Sequence, residues 1–440
     1  MVNNTSSEEL ALAINEQKVP KIFYGWYIVV ASVLSNALLS GVVWGGFGAF
    51  IIPIENTFGW SRSAISGAMA LRQLESGILA PFVGWIVDRI GGRVVIIGGA
   101  VTTGLGLMAL GWLSVGLASF YFFFIIVAIG TSGVSHAVTW PVIISRWFDR
   151  KKGLAVGIAV TGPTIGTTLI ILNTALEDQF GWRSVLGVYG IVVIVFIGLM
   201  GIIVRDRPEQ MGLNPDGDPS PDSSLKSNAD FSGSVNSQGL SFTQTLRTNS
   251  FWLLSIYLGG MFISSSGFLT HEHVYFVDDL KFNAKSAAIM VTLTFAFSAI
   301  GRIGSGWLMD HIDYRFVMGG ASLLMAFSFV YAQAIQITNS WLALPFILGF
   351  GISFGSNIPM RAVLASMIFG NRALGSVIGI LNGAIVGAGL IGPLMLGLIF
   401  DWQGSYSTGV GIMIGLCFSL SLLPLLMKSR ESLARANFHG

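Results

Sequence analysis

The feature that most constrains this chain is a succession of long apolar runs, separated by short polar breaks, over almost its whole length. A helix needs about 20 apolar residues to cross the hydrocarbon core of a bilayer. Predicted helices 1 to 12 are placed at about 24–52, 63–87, 94–114, 119–145, 153–176, 182–204, 250–277, 284–309, 316–338, 341–368, 373–400 and 406–427. The sequence therefore predicts an all-α polytopic membrane protein with twelve transmembrane helices.

The composition is that of a membrane protein rather than of a soluble domain. Of the 440 residues, 53% are hydrophobic and 10% are charged, whereas a soluble domain is about 25% charged. The 56 glycines suit close helix packing in lipid, where small residues let backbones approach each other. We expect a lipid bilayer around a monomeric chain, and no nucleic-acid partner, metal or cofactor.

A polar stretch, residues 205–247, divides the apolar runs into two groups of six. It is nearly free of large apolar residues, so it cannot bury enough surface to fold alone. We interpret it as a cytosolic linker between a six-helix bundle at 24–204 and another at 248–427. The predicted tails are 1–23, which lacks the pattern of a cleaved signal peptide, and 428–440.

The basic residues indicate how the helices are oriented. With the N-terminus inside, the inner segments hold 17 of the 24 lysines and arginines, the outer loops hold 4, and the remaining 3 lie within helices. In membrane proteins the cytoplasmic loops carry the excess of positive charge. Both termini are therefore predicted to be cytoplasmic.

The two halves carry an internal repeat. Asp88 and Asp310 are 222 positions apart, and Phe148 and Phe369 are 221 apart. A glycine-proline string of helix 5 recurs in helix 11 at an offset of 230, and its residues are expected to pack helices: Gly157, Gly162, Pro163, Gly387, Gly392 and Pro393. The repeat predicts two pseudo-symmetric six-helix bundles, related by an axis along the membrane normal.

The residues Gly84–Arg93, GWIVDRIGGR, form a charged hairpin between predicted helices 2 and 3, and a degraded copy, GWLMDHIDYR, begins at Gly306. Asp88 is expected to cap the positive N-terminus of helix 11. Arg89 and Arg93 are expected to pair with acids on the inner surface. Such contacts form only when the inner side is closed, so gating is assigned to Gly84, Asp88, Arg89, Gly92, Arg93, Gly306 and Asp310.

Few ionisable residues lie deep in the predicted helices, and burying each one costs several kcal/mol. Arg302 of helix 8 has no acid within two turns upstream, and Ser298 lies one turn back on roughly the same face. A guanidinium that faces a central cavity can clamp a carboxylate with two hydrogen bonds. Arg302 and Ser298 are therefore candidates for substrate contact. The alternative is that Arg302 forms an ion pair, for example with Asp310.

Helices 4 and 10 are equivalent in the repeat and offer further substrate-binding candidates. Arg361 follows Asn357 on one face of helix 10, and His136 is the counterpart of Asn357 in helix 4. His136 could donate to the substrate or carry a proton, since histidine titrates near neutral pH; alternatively it is bound to helix backbone. Arg361 is either a site residue or snorkels or pairs with a loop acid. Trp44 and Phe47 are candidate apolar walls.

Two further groups are candidates for proton coupling. Arg72 and Glu75 of helix 2 are three positions apart and can pair on one helix face; the alternative to this structural pair is a proton-sensitive gate with Glu75 as carrier. His271, Glu272 and His273 lie near the outer end of helix 7. A metal site is rejected for them, because residues i and i+2 of a helix do not face each other.

Three segments resemble a known family. The hairpin Gly84–Arg93 resembles the signature loop between transmembrane helices 2 and 3 of the major facilitator superfamily. Arg146–Gly166, RWFDRKKGLAVGIAVTGPTIG, resembles the helix 4–5 signature of its monocarboxylate transporter and oxalate/formate-antiporter-like branch. Arg302 and Gly306 resemble the helix 8 motif of that branch, in which the arginine binds the substrate carboxylate.

The chain departs from this branch at the residues of proton coupling. Animal monocarboxylate transporters place an acid four residues before the helix 8 arginine, where this chain has Ser298, and a lysine in helix 1, whereas this chain has no lysine between Lys21 and Lys151. The helix 11 lysine of oxalate-type antiporters and the helix 4 arginine of drug exporters are also missing. Coupling is thus not shown by the familiar residues, and dicarboxylate exchange and drug export lose support.

The function that the sequence favours is secondary active transport of a small organic anion, namely proton-coupled uptake of a monocarboxylate by alternating access. The alternatives are export or antiport of amphipathic compounds or dicarboxylates. A non-transporting sensor, which we expect to carry a signalling domain, and an intramembrane enzyme, which needs a nucleophile–base pair, are disfavoured. Gly181–Arg183 and Arg207–Asp218 look like bacterial members of the branch, which implies the inner membrane of a bacterium.

Overall fold

The computed structural model describes residues 22–217, 239–334 and 340–427. The predicted tails, apart from residues 22 and 23, lie outside the described residues. Residues 218–238 of the predicted linker and 335–339 near the end of predicted helix 9 also lie outside them.

Twelve long helices, some of them interrupted, follow one another in the described ranges and are numbered as in the prediction; short helical turns lie between the sixth and the seventh at Pro208–Met211, Pro215–Gly217 and Phe242–Leu246. The first six are α1 (Gly25–Phe58), α2 (Arg62–Ile90), α3 (Gly92–Trp112), α4 (Leu117–Gly133 and Thr139–Trp147), α5 (Lys152–Ala159, Gly162–Gly166 and 169–180) and α6 (182–203). The second six are α7 (Asn249–Asp279), α8 (Ala284–His311), α9 (Tyr314–Ala334), α10 (Ser340–Phe369), α11 (Leu374–Gly389 and Ile391–Gln403) and α12 (Ser407–Leu426). The predicted fold class is confirmed.

Nine stretches of the described residues are long and apolar enough to cross a membrane, and one of them runs through both α5 and α6. The remaining two helices are α2, whose hydropathy is lowered by charged residues such as Arg72 and Glu75, and α4, which is interrupted between Gly133 and Thr139. Together they make the twelve helices of a polytopic membrane protein.

Glycines set two of the sharp reversals of the chain. The run that contains α5 and α6 turns at Gly181, where φ is +74°. The hairpin between α2 and α3 turns at Gly91, where φ is +88° and a Cβ would press against the Asp206 carboxylate. Residues with a side chain rarely adopt such a φ. Asp206 also accepts hydrogen bonds from the N–H groups of Gly92 and Arg93, so it caps the N-terminus of α3.

The two halves pack their helices in the same way. In the first half α3 lies against α4 and α6, and in the second half α9 lies against α10 and α12. Gly84 packs on Gly375, and Gly306 packs on Gly153. Gly84 and Gly306 are 222 positions apart, and so are Gly153 and Gly375. This is also the separation of Asp88 and Asp310, and we call it the repeat spacing. The contacts join α2 to α11 and α8 to α5, across the two bundles. The predicted pseudo-symmetric pair of six-helix bundles is confirmed.

The predicted alignment of the glycine-proline strings of α5 and α11 holds for Gly162 and Gly392, which meet the Val33 and Ile263 carbonyls at the same offset of 230, but it is wrong for Gly157 and Gly387. Gly157 packs against the Arg302 carbonyl, and its counterpart at the repeat spacing, Gly379, packs against the Ala80 carbonyl. Gly387 has open space where a Cβ would be, so its predicted role in helix packing is also wrong. Gly387 lies about two helical turns after Gly379. The spacing between equivalent residues of α5 and α11 changes from 222 to 230 between Gly157 and Gly162, where α5 is interrupted.

The other residues of these strings lie at helix contacts within each bundle. Gly162 packs against the backbone of α1, and the Pro163 carbonyl accepts a hydrogen bond of 2.8 Å from Ser40. Gly392 packs against the backbone of α7, and the Pro393 carbonyl lies 3.1 Å from a histidine ring nitrogen of that helix. Both strings therefore hold the second part of one helix against the first helix of its own bundle.

Candidate functional site

A cavity of about 310 Å³ lies between the two bundles. The first bundle contributes, among others, Ser40, Trp44, Arg72, Ser132, His136 and Pro163. The second contributes, among others, Phe262, Arg302, Phe354, Ile358, Arg361 and Asn382. Three arginines therefore line one cavity, and no carboxylate lines it within the described part of the chain.

Arg302 of α8 lines this cavity although only 5% of the residue is exposed. One Nη atom donates a hydrogen bond of 2.6 Å to the Val160 carbonyl of α5, and Nε has no partner among the described residues. The Val160 carbonyl is available because α5 is broken there: Pro163 has no N–H, and the Thr164 N–H bonds the Thr161 carbonyl. The break in α5 thus anchors one end of the guanidinium and leaves Nε unpaired.

Arg361 of α10 lines the cavity as well. Its guanidinium donates to the side-chain oxygen of Asn382 on α11 and, at 3.3 Å, to the Ile358 carbonyl. The alternative that Arg361 snorkels or pairs with a loop acid is therefore wrong, because an amide holds its charged end inside the protein. Asn382 and Val160 are separated by the repeat spacing. Equivalent positions of α11 and α5 therefore each accept a hydrogen bond from one arginine of the cavity.

His136 lies in the interruption of α4. Its ring packs against Trp44, with 4.7 Å between the ring centroids, and both side chains line the cavity. Nδ1 is buried without a hydrogen-bond partner in the part of the chain that the structure describes. The alternative of a histidine bound through this nitrogen to helix backbone is therefore wrong. The charges of Arg361, Arg302 and Arg72 all act on this ring.

Two predicted substrate contacts do not line the cavity. Ser298 is buried between α8 and α10, and its hydroxyl donates to the Phe295 carbonyl at 2.7 Å. Asn357 donates to the Ser353 carbonyl at 3.4 Å. These predictions are wrong because residues four apart on a helix differ in direction by about 40°. A long arginine reaches a cavity that a short side chain one turn earlier does not.

Phe47 is fully buried against Phe124 of α4, and the prediction that it forms a cavity wall is wrong. α1 changes from a π-helical turn at Ser40–Trp44 to a 3-10 turn at Gly46–Phe50. These turns contain different numbers of residues from an α-helical turn, so they rotate the helix face. As a result Trp44 lines the cavity while Phe47 enters the core of the first bundle.

Arg72 lines the cavity from α2, and its buried Nε has no partner among the described residues. Glu75, almost one turn further on, accepts hydrogen bonds from the Ser132 hydroxyl, with the two carboxylate oxygens at 3.2 and 3.4 Å. Arg72 and Glu75 interact electrostatically. Among the ion pairs of the described ranges, however, none within 4 Å joins them. The predicted direct pair is therefore wrong.

The three candidate residues of helix 7 point in different directions. His271 has one ring nitrogen 3.1 Å from the Tyr406 hydroxyl and the other 3.1 Å from a backbone carbonyl of α11. Glu272 is fully buried and accepts a hydrogen bond of 2.5 Å from Thr294 of α8. His273 lies on the exposed surface. The three side chains do not form one site, and none of them lines the cavity.

Asp88 binds the N-terminus of α11, as the sequence predicts. Its carboxylate accepts hydrogen bonds from the Gly375 N–H at 2.9 Å, from the Ser376 N–H at 2.8 Å and from the Ser376 hydroxyl at 2.9 Å. Arg146 forms a salt bridge of 3.2 Å with the same carboxylate. A Cβ on Gly84, one turn earlier, would overlap the Gly375 carbonyl. The backbones of α2 and α11 are therefore in direct contact here.

Asp310 binds the N-terminus of α5 in the equivalent way. It accepts hydrogen bonds from the Gly153 N–H at 2.7 Å and the Leu154 N–H at 2.8 Å, and Gly306 lies in contact with Gly153. The alternative that Asp310 pairs with Arg302 is therefore wrong. Both carboxylates lie at helix N-termini, which attract negative charge.

The two basic residues of the hairpin do not make the expected ion pairs. The Arg89 guanidinium lies 4.3 Å above the Trp85 ring, and the backbone of Arg93 is held by Asp206. No salt bridge joins either side chain to an acid of the described ranges. Gly92 packs against Ile143 of α4. Arg89 and Arg93 thus border the closed interface without bridging it.

The end of the molecule that carries Arg89, Arg146 and Lys151 is called the basic end. The bundles are packed together there, and along α2 the glycine contacts with the second bundle extend to Gly77, which meets Val386. From Gly77 to the opposite end of α2 there remain 15 residues, about 22 Å. The cavity is therefore closed on the side of the basic end.

Three residues that shape the site were missed from the sequence. Asn382 orients Arg361, Ser132 binds Glu75, and Asp206 caps α3. Asn382 carried a readable signal, because it is a lone amide in an apolar stretch of α11. Ser132 carried none, since serine is common in helices of this kind and its partner lies on another helix.

An apolar groove of about 270 Å³ also lies between α5 and α6, lined by Leu176, Phe180 and Val188 among others. It lacks a charged lining residue within the described part of the chain. It is therefore not a candidate for a substrate site that binds charge.

Twelve helices in two pseudo-symmetric bundles with a cavity between them define the architecture of a secondary transporter. The family model of the Major Facilitator Superfamily matches residues 33–393 and 273–438. The chain belongs to this family. It is an integral membrane transporter, and its substrate is a small molecule.

Similar proteins include an uncharacterized MFS-type transporter, YcxA, of Bacillus subtilis (strain 168), at 26% identity over 87% of this chain and 91% of that protein. Monocarboxylate transporter 13 of Bos taurus is 23% identical, over 90% of this chain and 91% of that protein. Monocarboxylate transporter 1 of Mus musculus is 23% identical, over 94% and 88%. The predicted likeness to monocarboxylate transporters is confirmed.

Solved structures show the same fold. The proton:xylose symporter XylE, bound to 6-bromo-6-deoxy-D-glucose, has a TM-score of 0.67 at 15% identity, over 91% of this chain and 94% of that one. The transporter FucP in its outward conformation has a TM-score of 0.64 at 15% identity, over 91% and 99%. At this identity the likeness extends to the fold alone.

Proposed function

We propose that this protein is a secondary active transporter that takes up a small organic anion, namely a monocarboxylate, together with a proton. The observation that carries the proposal is the cavity between the bundles, which Arg72, Arg302 and Arg361 line without a lining carboxylate in the described ranges. An uncompensated charge within a membrane protein costs several kcal/mol. An anionic substrate supplies the missing charge.

Arg302 is the carboxylate clamp in this proposal. The Val160 carbonyl fixes one Nη atom, while Nε remains unpaired beside the cavity. Arg361, oriented by Asn382, and the unpartnered Nδ1 of His136 add further hydrogen bonds to the same anion. The relatives named monocarboxylate transporters, which align over about nine-tenths of the chain, support this substrate class.

The transport cycle exposes the cavity to each side of the membrane in turn. The bundles at 24–204 and 248–427 move as the two halves, and the basic end, the tails and the linker at 205–247 face the cytoplasm of a bacterium. The contacts of Asp88 and Asp310 then close the cytoplasmic side, so the substrate enters from outside. One monomer contains the whole site.

The test is uptake of radiolabelled lactate, pyruvate, benzoate, phenylpyruvate, oxalate and succinate by proteoliposomes, with and without an inward proton gradient. We expect a monocarboxylate to accumulate with the gradient. Hydrogen bonds to charged groups contribute about 1.5–3 kcal/mol, so Arg302→Gln is expected to lower uptake at subsaturating substrate about ten- to hundredfold. Gly387→Ala, on an open helix face, is the control. Full-rate uptake by Arg302→Gln would contradict the clamp.

Dicarboxylate exchange is the second candidate, because Arg72 faces the cavity from the opposite bundle to Arg302 and Arg361. A substrate with two carboxylates can engage both walls. Proteoliposomes loaded with succinate or oxalate then exchange it for the external label without a proton gradient. Arg72→Gln is expected to abolish that exchange. Export of apolar compounds would appear instead as a loss of resistance in a deletion strain.

A further inference from the structure

Glu75 is the carboxyl group that stands beside the arginine-lined cavity. It lies on α2, three residues after Arg72, and is half-buried. The hydroxyl that it binds, Ser132 of α4, lines the cavity together with Arg72. Arg72 keeps an unpaired Nε there although the charge of Glu75 acts on it. Two groups can therefore balance the charge of Arg72: the Glu75 carboxylate on the same helix and an anion bound in the cavity.

The surroundings of Glu75 hold few other ionisable groups. Besides Arg72 on its own helix, α4 contributes His136, and the second bundle contributes Arg302 and Arg361 across the cavity. Tyr121 and Arg146 of α4 contact α2 nearer its two ends, at Ala64 and Asp88. The ionisable residues of the other helices that pack against α2 lie near the ends of those helices: Tyr27 and Glu55 on α1, Arg93 on α3 and Asp401 on α11. Glu75 therefore sits where a single proton changes the charge balance of the site.

We propose that Arg72, Glu75 and Ser132 form the unit that couples one proton to the anionic substrate. In the empty protein the ionised Glu75 carboxylate, held by Ser132, balances Arg72. A proton on Glu75 removes that balance, and the charge of Arg72 becomes available to the substrate carboxylate. The inference rests on the proposed transport of an organic anion and adds the site of the proton.

The step makes and breaks no bond in the substrate. A hydronium ion of the external water gives its proton to a Glu75 oxygen and leaves water. The substrate stays an anion, and one proton and one anion cross together, so no net charge moves. Binding linkage is reciprocal: the anion must raise the affinity of Glu75 for the proton as much as the proton raises the affinity for the anion.

The other candidate carriers fit this role less well. Glu272 is fully buried, binds Thr294 and does not line the cavity. It therefore does not balance the charge of an arginine that a substrate could bind instead. A proton on His136 would add a fourth positive charge to a cavity that already holds three. His136 therefore serves as a hydrogen-bonding group, and Glu272 as a matched control.

The experiment uses the full chain in proteoliposomes and the panel carboxylate that the wild type transports fastest. With one-to-one coupling, each pH unit of inward gradient supports about a tenfold accumulation, because one unit corresponds to about 1.4 kcal/mol. Glu75→Gln mimics the protonated group. It is expected to equilibrate label by counterflow at the wild-type rate but to accumulate none with the gradient. Glu272→Gln is expected to accumulate label as the wild type does.

Ser132→Ala supplies a second, milder variant if Glu75→Gln does not fold. A hydrogen bond to a carboxylate favours its ionised form, so its loss is expected to move the midpoint of the uptake–pH curve to higher pH while accumulation persists. An unmoved midpoint would count against the unit, as would gradient-driven accumulation by Glu75→Gln or loss of accumulation in Glu272→Gln alone. If the wild type transports none of the panel, the proposed function itself fails. If it transports a carboxylate independently of pH, only the coupling fails.

Discussion

The two bundles close the basic end with the same contacts, yet they line the cavity with different side chains. Asp88 of the first bundle binds the N-terminus of α11, and Asp310 of the second binds the N-terminus of α5, each through two successive backbone N–H groups. Beside each carboxylate a pair of glycines brings the same two helices into backbone contact. The closing interface therefore keeps the twofold symmetry of the repeat.

At the cavity that symmetry is lost. At the repeat spacing, the counterpart of Arg302 in the first bundle is Ala80, and the counterpart of Arg72 in the second bundle is Thr294. Closure joins two equivalent helix pairs, so both pairs need the same contacts. A monocarboxylate such as lactate has a carboxylate at one end only, so it needs different groups on the two walls. Under the proposed function, the difference separates the residues of gating from those of recognition.

The largest effect is expected where the helix backbones touch. Gly84→Ala and Gly306→Ala each place a Cβ on an opposing carbonyl across the bundles. Overpacking of this kind costs about 1–3 kcal/mol, so the equilibrium constant for closing the basic end should fall by a factor of about 5 to 150. With Ser76→Cys as a reporter in the cavity, impermeant maleimide added outside should label both variants more slowly than the parent.

The control for helix propensity is Gly387→Ala, which gains the same methyl group in open space. It should be labelled at the parent rate. The native Cys417 is buried and does not interfere. If only one of the two interface variants changes the labelling rate, the two helix contacts contribute unequally to the free energy of closure, although their geometry is equivalent.

The next effect compares the two carboxylates. Asp88→Asn and Asp310→Asn keep the shape of each side chain but weaken its bonds to a helix N-terminus, at a cost of about 0.5–2 kcal/mol. Asp88 also binds Arg146 and the Ser376 hydroxyl. The second copy of the hairpin has lost the arginine and both glycines of the turn in the first, so Asp88→Asn should shift the protein toward the state open at the basic end, and slow turnover, more than Asp310→Asn does. Equal shifts in Ser76→Cys labelling would contradict this order.

The sequence was sufficient for the fold because twelve apolar runs, basic inner loops and an internal repeat are signals that need no contact information. The sequence also predicted the cap at Asp88. A carboxylate at the end of one helix, together with the internal repeat, indicates which helix N-terminus in the other bundle it binds. Gly392 matches Gly162 as predicted, but the failure of Gly387 was not predictable, because small residues recur at several helical spacings and only the opposing backbone selects one.

The cavity lining was only partly predictable. Large or charged side chains in a membrane helix must reach a polar space, so the residue type alone indicated that four residues line the cavity: Arg302, Arg361, His136 and Trp44. Phe47 failed because a π-helical turn and a 3-10 turn rotate α1, and hydrophobic spacing does not record such turns. The partners of the arginines could not be inferred, since they include the Val160 carbonyl, which is freed by a helix break on another helix.

The smallest effect tests the difference between the two caps directly. Ser376 gives Asp88 both its N–H and its hydroxyl, whereas the equivalent residue, Leu154, gives Asp310 only its N–H. Ser376→Ala should destabilise the closed basic end by about 0.5–1.5 kcal/mol, the usual contribution of one hydrogen bond. Leu154→Ser should stabilise it by a similar amount, because it places a hydroxyl donor at the position where Ser376 offers one to Asp88. Labelling of Ser76→Cys from outside should then fall in the first variant and rise in the second. A change of the same sign in both would mean that packing around the leucine, and not the number of donors, sets the strength of the second cap.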